Sequence, residues 1–504
     1  MLASTITGSI AGILGQIIRV EVDSAPGFPG LFMVGLPDSA VRESESRIKA
    51  ALRNSAFDFS WDRRITVNLA PAHVRKTGSA FDLAIAVALL ASSGEPITDP
   101  GRCLFLGEVA LDGSLRRVPG VLPILIAARD QGIPRAVIPR ANFPEGQLVK
   151  GIEVRGAATL LAAVRDRPDP EEIMPVHQNE PPRPSLEPLD MRDVSGQPLA
   201  RRALEIAATG RHNLLMIGPP GSGKTMLARR LPGLLPPPSE EEALEMTVIQ
   251  SAAGLTPRGL VTVRPFRAPH HTASAIALVG GGPIPRPGEI SLAHGGVLFL
   301  DELPEFPRAT LEGLRQPLEE GRLIVSRARA TFEFPCRFQF VASMNPCPCG
   351  YQGDPVLPCR CTPQAIARYQ GRISGPLLDR IDMVVDVPRP EIRVPCSLRP
   401  PDRSTHEASG QVRARVADGI AFARSRGEEK KTEDLASLNL EPNAAATLEG
   451  AARIRGLSFR AVCRTARVAR TIADLAGARQ VSREAVLEAL LFRAGAALTA
   501  PKVA

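Results

Sequence analysis

Gly218-Pro219-Pro220-Gly221-Ser222-Gly223-Lys224-Thr225 follows the apolar run Asn213-Leu214-Leu215-Met216-Ile217 and opens the helix-patterned segment Met226-Leu227-Ala228-Arg229-Arg230. Strand, glycine-rich turn and helix, in that order, are the context a phosphate-binding loop requires. The glycines let backbone N–H groups converge on phosphate oxygens, and the helix N-terminus adds its positive end. At this spacing Lys224 can reach the β- and γ-phosphates, and the Thr225 hydroxyl can ligate Mg2+. The stretch predicts a site for a nucleoside triphosphate.

Downstream, Val297-Leu298-Phe299-Leu300 reads as a buried parallel strand that ends on Asp301-Glu302. Ligands of α/β sheets sit at such strand ends. Asp301 there can hold the water shell of Mg2+, and Glu302 can polarise an attacking water. The pair implies hydrolysis, not binding alone. A further apolar strand, Phe338–Ala342, runs through Ser343-Met344 to Asn345, whose amide can orient that water. Arg380, in Ser374-Gly375-Pro376-Leu377-Leu378-Asp379-Arg380-Ile381-Asp382, precedes the strand Met383–Val387 and is expected at an exposed edge. A guanidinium offered from there to a neighbour's site would stabilise transition-state charge.

The rest of the chain frames this centre. Residues 1–165 alternate strand-like runs (Ile17–Val22, Leu31–Val34, Ile65–Leu69, Cys103–Gly107, Ala136–Ile138) with helical patterns (Ser39–Leu52, Ala80–Ala91, Leu122–Asp130), predicting an α/β module. Residues 166–188 shift to Pro, Glu and Asp and read as a linker. Residues 189–395 carry the phosphate loop, and 396–504 read as helical, with basic residues on the polar faces of Ala408–Arg426 and Arg460–Ala476. Met1–Ile18 is apolar, but it lacks a basic flank and is broken by Gly8, Gly12 and Gly15, so it predicts a buried strand and turn, not a membrane span. The chain carries 504 residues with net charge +8, which permits a polyanionic partner. Only seven of its 61 basic residues are lysine, a coding-type skew that weakens arguments from arginine clusters alone. Eight cysteines without a secretion signal predict thiols in a reducing cytoplasm.

The set GPPGSGKT, VLFLDE, SMN, SGPLLDRID and Ser458-Phe459-Arg460 resembles an AAA+ ATPase of the magnesium-chelatase-like branch. RPGEISLAHGGVLFLDELPEF (286–306), FRAPHHTAS (266–274), MNPCPCG (344–350) and RVARTIADL (467–475) are similar to the ComM/YifB family. The resemblance spans essentially the whole chain. It implies an AAA+ P-loop NTPase core with a C-terminal helical lid, preceded by a Lon-protease-like α/β domain. By position it makes Lys224 and Thr225 the Walker A lysine and Mg2+ ligand, and Asp301 with Glu302 the Walker B pair. Asn345 becomes sensor 1, Arg380 the trans-acting finger and Arg460 sensor 2. It further implies ATP and Mg2+ as cofactors, a hexameric ring, and DNA, single-stranded or branched, as partner. The activity it implies is helicase or branch migration during recombination of imported DNA. Residues 321–335 resemble the hairpin that in this branch faces the pore, and Gly280-Gly281-Gly282-Pro283 the tip of its inserted loop. Arg327 and Arg329 alternate and would share one face of a strand, suited to phosphates or simply to solvent.

Cys347-Pro348-Cys349 and Cys359-Arg360-Cys361 bring four thiols into fifteen residues, a donor set for tetrahedral Zn2+ or a loop of reduced cysteines. His270-His271 has no ligand at i+4 and reads as loop-positioning. Arg75-Lys76-Thr77-Gly78-Ser79-Ala80 and Gly107-Glu108-Val109…Gly120-Val121-Leu122-Pro123 resemble the Lon protease domain. Its nucleophile position falls on Ala80 and its lysine position on Leu122, so the module is expected to lack proteolysis. Rival expectations are a chelatase-type subunit that remodels a partner protein, an ATP-dependent protease, and a passive DNA scaffold.

Overall fold

The computed structural model describes residues 2–72, 76–165, 189–255, 257, 259–282, 285–327, 330–389, 407–426 and 435–493. The segment 166–188 read as a linker lies outside the described residues, as does Cys396.

The N-terminal segment opens with β1 (Leu2–Ala11) and β2 (Leu14–Ala25), an antiparallel hairpin turning at Gly12-Ile13. This is the strand and turn expected of Met1–Ile18. Then follow β3 (Gly30–Val34), α1 (Ser39–Asn54), β4 (Arg64–Ala70), α2 (Asp82–Ser93), β5 (Cys103–Phe105), α3 (Val121–Asp130), β6 (Arg135–Pro139) and β7 (Glu153–Ala157). The seven strands form one mixed sheet in the order β3-β4-β2-β1-β5-β6-β7. Asp38 caps α1 by accepting from Val41 N, and the helix buries Val41, Ser44, Ile48, Ala51 and Leu52, a stripe of helical period. Helix α2 is apolar all round and accordingly buried along nearly its whole length against β1 and β2.

The second unit contains α4 (Pro198–Gly210), β8 (Leu214–Ile217), α5 (Lys224–Leu234), α6 (Glu240–Ala252), β9 (Phe266–Arg267), β10 (Val297–Leu300), β11 (Arg322–Arg327), β12 (Ala330–Pro335), β13 (Gln339–Met344) and β14 (Met383–Asp386). Its parallel sheet runs β9-β10-β13-β8-β14, so β13 separates the phosphate-loop strand β8 from the acidic strand β10. Leu214, Met216, Val297 and Phe299 face one apolar cluster, while Leu215, Ile217, Leu298 and Leu300 face another, the period-2 alternation of a sheet buried on both sides. Between β9 and β10, a small hairpin pairing Gly280–Gly281 with Arg286–Pro287 interrupts two short helices, Ala275–Val279 and Glu289–Leu292. Strands β11 and β12 form the separate hairpin expected at 321–335.

Among the described residues that follow are four helices, α7 (Ser409–Ser425), α8 (Pro442–Arg455), α9 (Phe459–Leu475) and α10 (Arg483–Leu491). Ala466, Ala469 and Ile472 of α9 and Val412 and Val416 of α7 join the cluster that holds Leu214 and Phe299, so lid and sheet share one core. The N-terminal unit sits on α6, where Leu244 and Val248 pack beside Leu122 and Leu125 and Gly120 N donates to Ser251 O at 3.1 Å.

Candidate active site

Strand β8 ends at Ile217 and the chain turns into the phosphate loop. Gly218 is required there because a Cβ would lie 2.0 Å from Val387 O. Helix α5 starts at Lys224 with no side-chain cap, leaving its first-turn N–H groups for an anion seated among Gly218, Pro219, Pro220, Gly221, Ser222 and Gly223. Lys224 Nζ folds back to donate to Gly218 O (2.7 Å), Pro219 O (2.8 Å), Ser222 Oγ (3.4 Å) and Asn345 Oδ1 (3.3 Å). Burial pulls this ammonium down to about 8, against the opposing charges of Asp301 and Glu302. A phosphate anion in the loop is the partner that would restore its charge.

Thr225 Oγ1 donates to Asp301 Oδ2 at 2.7 Å, bringing together a hydroxyl and a carboxylate suited to Mg2+. The other Asp301 oxygen accepts from the Ser343 hydroxyl and from Glu302 N at 3.1 Å. Ser343 was given no role by sequence reasoning. Its signal was its place two residues before Asn345, on the strand next to Asp301. Glu302 adopts φ +54°, left-handed backbone that costs an ordinary side chain about 1–2 kcal/mol. That turn leaves its carboxylate about half exposed, 3.7 Å from His271 Nδ1. His271 therefore faces Glu302, a contact its sequence context did not reveal, while His270 bonds Thr272 Oγ1 at 2.9 Å as a loop-positioning residue.

Arg380 departs from its expectation. It is 5% exposed instead of standing free at an edge, ion-paired to Glu319 and donating to Pro376 O at 2.5 Å. Glu319 lies 61 positions upstream, so local pattern could not show the pairing. Arg380 precedes Met383, which pairs with Leu214 at the start of β8, whereas the phosphate loop follows the end of β8. Arg460 is exposed on the first turn of α9, and the hydrogen bond and charge of Arg380, with a smaller pull from Arg460, hold the Glu319 carboxyl below its usual range. Neither arginine meets Lys224 of its own chain: a four-residue strand, about 13 Å long, lies between.

Strand β11 ends at Arg327 and β12 begins at Ala330. Arg329, expected to share a strand face with Arg327, lies outside the described residues. The tip residue Pro283 lies outside them too. Cys347, Cys349, Cys359 and Cys361 converge, with Sγ atoms all within 4.8 Å of one another, a set compatible with a metal ion. Cys336 is buried, its thiol pushed up to about 12, and stands apart from that set.

In the N-terminal unit, Ala80 and Leu122 lie in one apolar cluster. Ser79 donates to Glu108, and Lys76 donates to Pro71 O with its ammonium held down by burial, so these two do not pair with each other. Arg75 lies outside the described residues.

A phosphate loop, a Thr–Asp pair and a polar strand end on a five-stranded parallel sheet with a helical lid define an AAA+ P-loop ATPase fold, here preceded by an α/β domain. Residues 190–394 match the family model described as magnesium chelatase, subunit ChlI, residues 20–142 that of subunit ChlI of Mg-chelatase, and residues 406–493 that of the ChlI C-terminal part. The chain is 43% identical over 501 residues to the competence protein ComM of Haemophilus influenzae, covering 96% of each. It is 42% identical over 508 residues to YifB of Salmonella typhimurium, covering 98% of this chain and 97% of that protein. The chain belongs to the ComM/YifB family. A partial likeness, 27% over 158 residues, links 30% of it to 29% of Lon protease 2 of Bacillus subtilis. Among the described residues no helix is long and apolar enough to cross a membrane.

Proposed function

We propose that the chain is an ATP-driven hexameric DNA motor of the cytoplasm, working as a helicase or branch-migration factor in recombination of imported DNA. The observation that carries this reading is a hydrolysis-type site assembled from Lys224, Thr225, Asp301 and Asn345 in a chain alike over 96% of its length to a competence protein. In this reading Lys224 neutralises the β- and γ-phosphates, and Thr225 with Asp301 holds Mg2+. Glu302 and Asn345 orient the attacking water. Arg380 serves as the finger for the site of the adjoining subunit, and Arg460 on the lid serves as sensor 2. Arg327 and Arg329 contact DNA phosphates, in keeping with the net charge of +8.

Strand displacement on a forked duplex tests the reading: wild type separates the strands with ATP, and Lys224→Ala and Glu302→Gln do not. Displacement that survives either substitution overturns it. The family models described for magnesium chelatase favour a second reading, a ring that remodels a partner protein. Tight capture of a metal-inserting enzyme, with ATP hydrolysis indifferent to DNA, would select it.

A further inference from the structure

We propose that Cys347, Cys349, Cys359 and Cys361 hold one structural zinc ion that fastens the end of the Asn345 strand to the phosphate loop. The sulfur separations are 3.3 Å for Cys347–Cys349 and 3.6 Å for both Cys347–Cys359 and Cys349–Cys359. Four sulfurs bound tetrahedrally at about 2.3 Å stand roughly 3.8 Å apart, while a disulfide needs about 2.05 Å. The set therefore fits a single ion. Each binding thiol gives its proton to solvent.

The loop's own architecture leaves work for a metal. Residues 345–362 contain neither helix nor strand, yet Cys347 is fully buried. Chain order within it rests on a few turn contacts, Gly350 N to Cys347 O at 2.9 Å and Asp354 N to Tyr351 O at 3.1 Å. The N–H of Cys361 points at Cys359 Sγ, 3.4 Å away, the kind of donor that steadies a metal-bound thiolate.

The loop also touches what it would hold. Gly350, at φ +86°, packs so closely on the phosphate loop that a Cβ would lie 2.5 Å from Pro220 Cδ. Asp354 pairs with Arg389 at 3.1 Å, and Arg389 lies over the Tyr351 ring, 5.9 Å from its centroid. Arg389 lies just beyond Val387, whose carbonyl abuts Gly218. A metal closing this loop fixes Asn345, Pro220 and the exit of β14 as one unit. The metal site stands on the four thiols; its effect on nucleotide rests on reading 218–225 as the phosphate loop.

Elemental analysis of the full chain, purified under reducing conditions without added metal, is expected to give one zinc per chain. Release of that zinc by a mercurial thiol reagent, followed with a chromogenic chelator, reads the site without any substitution. Cys347→Ser and Cys359→Ser lose the zinc and weaken binding of a fluorescent ATP analogue at least about tenfold, whereas Cys463→Ser keeps both. Gly350→Ala keeps the zinc and weakens the nucleotide. Absence of zinc, iron in its place, or zinc retained in Cys347→Ser overturns the metal site. Zinc lost with nucleotide affinity unchanged overturns the coupling. Zinc-loaded wild type that binds no ATP analogue overturns the reading of the phosphate loop and the coupling with it, while leaving the metal site standing.

Discussion

Glu302 concentrates the tension between stability and function in one residue. A glycine at φ +54° relieves about 1 kcal/mol of backbone strain. Glu302→Gly is therefore expected to raise the melting transition of the ATPase unit by roughly 2–4 °C while abolishing hydrolysis, read by calorimetry and phosphate release. A lowered melting transition would remove the strain argument. Lys224 gives a pH signature. Burial pulls its ammonium down to about 8, and a bound triphosphate favours the charged form. Above about 8, binding must take up a proton. Nucleotide affinity should therefore fall as pH rises from 8 to 10, approaching tenfold per unit, and stay flat over that range in Lys224→Arg. The meeting of Lys224 with Asn345 and of Thr225 with Asp301 was legible in the sequence because each group closes a recognisable strand or loop. Ser343 and His271 were not, because their roles depend on which strands lie side by side.

Among the elements, the α1–α2 contact shows how a buried charge is managed. Asp82 is fully buried on the first turn of α2 and pushed up to about 6 by that burial. Arg47 of α1 answers it with two bonds, 2.8 and 3.0 Å. Removing one partner of such a pair strands the other. Arg47→Ala is expected to destabilise the N-terminal unit by about 3–5 kcal/mol in urea unfolding, and Arg47→Ala/Asp82→Ala to recover part of that loss. Equal loss in the single and double variants would show that burial of the carboxylate is not the cause. Helices and strands here followed their hydrophobic periods closely: Ser39–Leu52 became α1 and Ile65–Leu69 became β4. Helix α2 starts at Asp82 and not at Ala80, which instead turns into the apolar cluster with Leu122. The misjudged residues were charged ones. Arg380 was expected free because its buried state depends on Glu319, on a different element.

At the scale of the whole molecule, Arg380 lies near the start of β8 and Lys224 beyond its end. On the proposed reading, the finger for each nucleotide site comes from a neighbouring subunit. Mixing Lys224→Ala subunits with Arg380→Ala subunits is expected to restore ATP hydrolysis wherever an intact loop meets an intact finger, although each variant alone is down by about 10³–10⁵. Activity that stays absent at every mixing ratio would argue for a site complete within one subunit. The N-terminal unit is tied to the ATPase unit at α6 and at the β11–β12 hairpin. Glu145 takes the Ser251 hydroxyl of α6, and the Gly12 turn lies against Phe332 and Phe334 of the hairpin. The sequence already suggested a resemblance of that unit to Lon, and a partial likeness to Lon protease 2 is in keeping with it. Its docking was not legible there, because the contacts join residues more than a hundred positions apart. The most direct measurement is ATP hydrolysis by the full chain with no DNA, single strands, duplex and a four-way junction, each across a salt series. Stimulation by single-stranded or branched DNA is expected, fading as salt rises and vanishing in Lys224→Ala. Hydrolysis unchanged by every DNA at low salt would contradict it.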